Sequence, residues 1–337
     1  MPPPRSVNLY FHALLSSSRF LLSAQGPFCL AQACSYWRTI TESDPRLWTS
    51  IYLPLEYLHD AELIIQRAKH IFGVYSKRSQ TLSISLTCIN ALFDAESDKK
   101  LVFFLVAQLL THSHRWKGIS LRKLSHRYFP CLLSTPCDLS SLEHLSIVDD
   151  GHASRPYTIR LNLKSAKNRK SFEYSRIGKL LVDNVDFHWD QLEEVSFQYG
   201  YDNPTDAPIS SEHLERLSLC RNITTFSLGI GTGDDIHSQT ITLPCLQALR
   251  VALLRSKCTI DFLILPQLQT LEINSDSDLY TTSHTSFDDC KIINLLKRSR
   301  CSLSHLSIQG ANLSFDEILR CLELSSTLFV VQLPSLR

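Results

Sequence analysis

The chain has almost no excess charge of either sign: 34 Lys and Arg stand against 33 Asp and Glu in 337 residues. It therefore has no global field to draw in nucleic acid or an anionic membrane. A run of the roughly 18 apolar residues that a membrane span needs is also missing. The stretch 9–22 is moderately apolar but is broken by His12, three serines and Arg19, with only Arg5 before it as a basic flank. A secretory leader is not expected from that pattern. The 11 cysteines are odd in number and show no framework spacing. Cys29, Cys34, Cys88, Cys131 and Cys137 mostly lie among apolar neighbours, where a free thiol behaves as a small hydrophobe. Reduced thiols in cytosol or nucleus are the expectation.

Signatures of chemistry are as sparse. Cys131 and Cys137 are spaced too widely for the Cys-x2–4-Cys of structural zinc sites, and His112 and His114 would point to different faces of a helix end. The glycines of "GIGTGDD" (229–235) do not have Gly-x-Gly-x-x-Gly spacing, and Asp234-Asp235 before "IHSQT" does not open a helix as phosphate binding needs. An inter-repeat loop is expected there. The one basic cluster, "RLNLKSAKNRKSFEYSR" (160–176), reads as a solvated loop, with a localisation signal or a polyanion contact as alternatives. No metal, cofactor or enzymatic activity is expected.

What the sequence does have is repetition. "LSSLEHLSIVDD" (139–150), "WDQLEEVSFQYG" (189–200), "SEHLERLSLC" (211–220), "LPCLQALRVAL" (243–253), "LPQLQTLEINS" (265–275) and "CSLSHLSIQGANL" (301–313) share the pattern Leu-x-x-Leu-x-Leu/Ile/Val, with Val195 and Phe197 as stand-ins. "TLSISL" (81–86) and "WKGISLRKL" (116–124) are weaker copies. Leu142, Leu192, Leu214, Leu246, Leu268 and Leu303 succeed one another at 50, 22, 32, 22 and 35 residues. Leucine-rich repeats run about 20–29 residues, so the longer steps imply insertions. The widest step is expected to hide a degenerate copy around 177–185. In Leu-x-Leu both leucines leave a strand on one face, and a single unit cannot bury that face alone. Helix-like pieces at 101–113, 291–299 and 314–324 lie between the strands. The pattern predicts an α/β fold in the form of a solenoid over 81–337.

Two further zones precede it. Residues 1–53 form a small helical module: Val7, Phe11 and Leu14 share one helix face, and Leu30, Ala33, Cys34, Trp37 and Thr41 share another. Asp44-Pro45 should end the second helix, because a residue before proline is pushed out of the α region. Residues 54–80 read as a linker helix, capped by Asp60 and carrying Leu63, Ile64, Arg67, Ala68 and Ile71.

Residues 34–51, "CSYWRTITESDPRLWTSI", resemble the second half of an F-box: Cys34, then Trp37-Arg38, then Leu47-Trp48 with Pro45 before them. "HSHRWKGISL" (112–121), "RSRCSLSHLSI" (298–308), "WDQLEEVSF" (189–197) and the two Leu-Pro-x-Leu-x-x-Leu units are similar to phrases of the F-box proteins with irregular leucine-rich repeats found in mushroom-forming fungi. The resemblance implies the substrate-receptor subunit of an SCF-type ubiquitin ligase. Its F-box would dock on a Skp-type adaptor and its repeats would hold a target protein, with no nucleic acid or membrane as partner. On that resemblance Leu9, Phe11, Leu14, Leu30, Cys34, Pro45, Leu47 and Trp48 are the adaptor-facing residues. Trp37 is expected in the core of the module, with Arg38 exposed beside it. Glu143/Ser146, Glu215/Ser218, Gln247/Arg250 and Gln269/Glu272 are the outward positions where a target would lie. The first helix departs from the family, since Pro4, Arg5 and Ser6 stand where its acidic and apolar positions fall. The alternative is a repeat scaffold with a decayed F-box that does not recruit a ligase.

Overall fold

In Leu142-x-x-Leu145-x-Ile147 the last two side chains leave a strand on one face, and the first covers the turn that leads into it. All three are buried. The computed structural model describes residues 26–54, 61–89, 95–122, 138–148, 163, 165–175, 188–198, 216–230, 240–253, 260, 262–275, 292–309, 315–325 and 330–332. Among these residues the unit recurs from one end of the chain to the other. Its strands are β1 (Ser50–Pro54), β2 (Ile84–Ile89), β3 (Trp116–Arg122), β4 (His144–Val148), β5 (Ser171–Ser175), β6 (Glu194–Gln198) and β7 (Thr225–Ile230). After them come two-residue β8 (Ile241–Thr242), β9 (Ala248–Leu253), two-residue β10 (Leu263–Ile264), β11 (Thr270–Ser275), β12 (His305–Gln309) and β13 (Val330–Gln332).

Eleven of these strands form a single sheet in chain order, with β8 and β10 set apart as a separate pair. Every pairing is parallel. The molecule is thus mixed α/β with one large parallel sheet. Register aligns the apolar positions into columns: Ile51, Leu86, Ile119, Leu145, Phe172, Val195, Phe226, Leu249, Leu271 and Leu306 are successive partners. All are at most 4% exposed, so a one-residue slip anywhere would turn a strand's apolar side chains outward.

Crossover length decides what connects the strands. Helices α3 (Ala61–Arg78) and α4 (Ala95–Thr111) join β1 to β2 and β2 to β3; α5 (Ile292–Ser299) and α6 (Phe315–Leu324) serve β11 to β12 and β12 to β13. In the 22-residue step from Leu246 to Leu268 the described residues before β11 hold the two-residue strand β10, which pairs with β8. The three helix-like pieces expected at 101–113, 291–299 and 314–324 are α4, α5 and α6.

Three features depart from the sequence reading. The copy at 211–220 is not a strand: Arg216 and Leu217 are helical, Ser218 and Leu219 lie in a turn, and the strand is β7, led by Ile223-x-x-Phe226-x-Leu228. The degenerate copy is β5, inside the basic stretch read as a loop, and 177–185 lies outside the described residues. The sheet begins at Ser50, within the segment read as the helical module, which makes the 54–80 helix the first crossover. That helix buries Ile65, Ala68, Phe72 and Tyr75, the i, i+3, i+7, i+10 face. Asp60 lies outside the described residues, as do the side chains of Leu63 and Ile64. No helix among the described residues is long and apolar enough to cross a membrane.

Candidate docking surfaces

Helices α1 (Pro27–Ala33) and α2 (Ser35–Ser43) precede the sheet. Gly26, at φ 101°, and Pro27 start the first; only glycine adopts that φ without strain, and proline suits a first helical position. Cys34 is extended, at φ −162° and ψ 170°, so the single helix face expected from Leu30 to Thr41 is split in two. Arg38 bridges the break, its Nε donating to the Ala31 carbonyl at 3.0 Å. That satisfies one of the carbonyls a helix end leaves open. Asp44 is extended before Pro45, as the proline requires, and its carboxylate accepts from the Arg46 backbone N–H at 3.0 Å.

The turn Pro45–Trp48 then turns Trp48 inward. Trp48 is 1% exposed and Leu47 is 7% exposed. The Trp48 indole N–H donates to the Thr41 carbonyl at 2.6 Å. Its ring meets Phe28 and Tyr75 edge-on, both at 5.2 Å, and the Arg78 guanidinium lies 4.5 Å from it. Leu47 and Trp48 are therefore core residues, and the expectation that they face an adaptor is corrected. Trp48-x-x-Ile51-x-Leu53 is the first copy of the repeat unit, with tryptophan in the leading position. Trp116-x-x-Ile119-x-Leu121 is built alike, down to an indole N–H donated seven residues back, to Leu109, at 3.1 Å.

On the outside of α1 and α2 the residues are different. Tyr36 is 51% exposed and meets the half-buried Trp37 edge-on at 5.6 Å. Arg38 and Cys34 are exposed, while Leu30 and Pro45 are half-buried at the margin. Trp37 is thus not in the core, contrary to expectation, and Tyr36 was missed. The signal was available: Trp37 falls outside the leading position of any repeat copy, whereas Trp48 does not. Leu9, Phe11 and Leu14 lie outside the described residues.

The sheet face opposite the apolar columns carries small hydroxyls and a few charges. Ser120, Ser146, Glu173, Ser196, Ser227, Arg250 and Glu272 form its central column. Ser146 donates to the Glu173 carboxylate at 2.6 Å, and Arg250 holds Glu272 at 3.1 Å. Ser146, Arg250 and Glu272 lie on this face as expected. Glu143, Gln247 and Gln269 precede their strands, Ser218 is in a turn, and Glu215 lies outside the described residues.

Where strands β4 to β6 begin, a cleft of about 470 Å³ is lined by Ser141, Glu143, Lys167, Asn168, Arg169, Lys170, Gln191 and Glu193, together with Ser83. Arg169 occupies the leading position of Arg169-x-x-Phe172-x-Tyr174, where its neighbours have Leu142 and Leu192, and it is 1% exposed. Its Nε donates to the Ala166 carbonyl at 2.9 Å. Burial pushes the guanidinium down to about 10, which still leaves it charged at neutral pH. The chain matches no protein-family model, no curated protein and no solved structure.

Proposed function

We propose that this protein is a non-enzymatic receptor built as an F-box-like module on a leucine-rich-repeat solenoid, and that it brings a target protein to an SCF-type ubiquitin ligase through a Skp-type adaptor. The observation that carries the reading is the Tyr36–Trp37 pair on the outer side of α1 and α2. Aromatic residues next to arginine are the usual energetic anchors of protein interfaces. The side chains of this reading are Leu30, Cys34, Tyr36, Trp37 and Arg38, with Pro45 at the margin. Phe28, packed on Trp48 and Tyr75, ties the platform to the first strand–helix–strand unit. A target on the repeats would then be presented at a fixed orientation, raising the effective concentration of its lysines.

Co-purification of the full chain with a purified Skp-type adaptor tests the reading. Wild type should capture the adaptor, and Trp37→Ala should weaken capture by a factor of about 30, the loss of about 2 kcal/mol typical of an interface anchor. Failure of the wild type to capture it would leave the second reading, a repeat scaffold without ligase recruitment. That reading is favoured by the departure at Pro4, Arg5 and Ser6 from the family's opening.

A further inference from the structure

Lys117, at the start of β3, and Glu143, Lys170 and Glu193, each leading into β4, β5 and β6 in turn, alternate in sign at one register position. Each of the first three accepts from the next through its backbone carbonyl at 2.8 Å, so the four are rungs of one ladder. Adjacent strands lie about 4.8 Å apart, which puts the four charges at about 0, 4.8, 9.6 and 14.4 Å along the edge. Lys117 and Glu143 approach to 3.7 Å, and His144 stands 3.8 Å from the same carboxylate. Exposed pairs of that kind contribute little and exchange partners readily. The β5 rung is the strongest, because Lys167 flanks Lys170 and the Arg169 charge sits buried beneath them in the cleft wall. Every other described strand from β4 to β12 with a leading residue of this pattern has an apolar side chain at the Arg169 position.

We propose that this ladder, with the cleft under its β4 to β6 rungs, seats an α-helix of a partner protein whose acidic and basic side chains alternate at positions i, i+3, i+7 and i+10, with an acidic group over the β5 rung. A helix rises about 1.5 Å per residue, so those positions fall at about 0, 4.5, 10.5 and 15 Å, within about 1 Å of the ladder throughout. An extended segment repeats its same-side residues every 6.6–6.8 Å or so and is about 4 Å out of step by the third charge. The spacing therefore selects a helix. The alternation rejects uniformly acidic or basic partners by like-charge repulsion. This deepens the reading of the repeats as a target-binding surface and rests on it.

The test uses the full chain and three labelled peptides of about 18 residues, long enough to hold helix in water. One carries Glu, Lys, Glu, Lys at i, i+3, i+7, i+10; a second has the same composition with its charges scattered around the helix. The third is proline-interrupted and alternates its charges at every second residue. Fluorescence anisotropy at low salt should show the first binding about tenfold tighter than the others. Lys170→Glu and Glu193→Lys should each weaken it about tenfold, and Arg169→Leu should weaken it while leaving the chain folded by circular dichroism. Equal binding of all three peptides, a preference for the extended one, or charge reversals without effect would overturn the proposal. Adaptor capture measured on the same variants separates the two readings: unchanged capture with no peptide preference sinks the cleft alone.

Discussion

Trp48 shows how one residue type serves two purposes within twelve positions of the chain. Trp37 lies half-buried on the outer side of α2, and Trp48 is sealed between Phe28, Tyr75 and Arg78. Truncating a fully buried aromatic leaves a cavity the surroundings fill only in part. Trp48→Ala should cost about 3–5 kcal/mol in urea unfolding. Trp48→Leu should recover much of that loss, yet still leave the Thr41 carbonyl without its indole donor, at about 1–3 kcal/mol. Trp37→Ala should move stability by less than about 1 kcal/mol while weakening adaptor capture. The opposite order would return Trp48 to the surface. Arg169 makes the complementary case. A charge in a leucine position is held out of water, at an effective cost of about several kcal/mol that an apolar side chain does not carry. Arg169→Leu should accordingly raise the midpoint of thermal unfolding; a lower midpoint would mean that the guanidinium is part of the core's own support.

At the scale of elements, neighbouring units are stitched by hydroxyls reaching back one unit. Ser165 Oγ accepts from the Leu139 N–H at 3.0 Å, and Ser299 Oγ accepts from the Leu265 N–H at 3.0 Å. The two contacts are the same device in different repeats, and the second is buried. Ser299→Ala should cost about 1–3 kcal/mol, because a buried N–H loses its acceptor, as denaturant titration would register. A null effect would show that water replaces the hydroxyl. The strands themselves were legible wherever both apolar positions were leucine-like and the leading residue was Leu: β4, β6, β9, β11 and β12. Where another residue filled the leading position, the copies read only as weaker ones, as at β2 and β3, or not at all. Arg169 hid β5, and Trp48 hid β1 inside a motif that resembles something else. "SEHLERLSLC" misled for the reverse reason. It carries the pattern, but Leu219 is 45% exposed in a turn, since the next unit of sheet is set by Ile223, Phe226 and Leu228. The segment of the proposed platform stood out on the chain, while its outward side follows from the break that Cys34 makes between α1 and α2.

For the whole molecule, the sheet is one stack with one apolar core, and what ionises inside that core couples pH to every unit. Burial pushes the thiols of Cys88, on β2, and Cys220, just before β7, up to about 12. Cys301, before β12, is raised in the same sense. In the unfolded chain these thiols ionise from about pH 9, so between pH 9 and 12 the unfolded state releases protons that the folded state retains. Stability is complete below pH 9 and falls as pH rises through that window. At pH 10 each fully buried thiol removes about 1.4 kcal/mol. Tyr75, also raised to about 12 by burial, adds to the loss only above pH 10. Arg169, lowered to about 10, acts against it there, since the folded state then sheds its proton first. The interval from pH 9 to 10 therefore isolates the thiols. Thermal unfolding of the wild type should drop across it, and the drop should be smaller in a Cys88→Val/Cys220→Val chain of nearly unchanged core volume. Equal slopes in the two proteins would place the alkaline sensitivity outside the strand core.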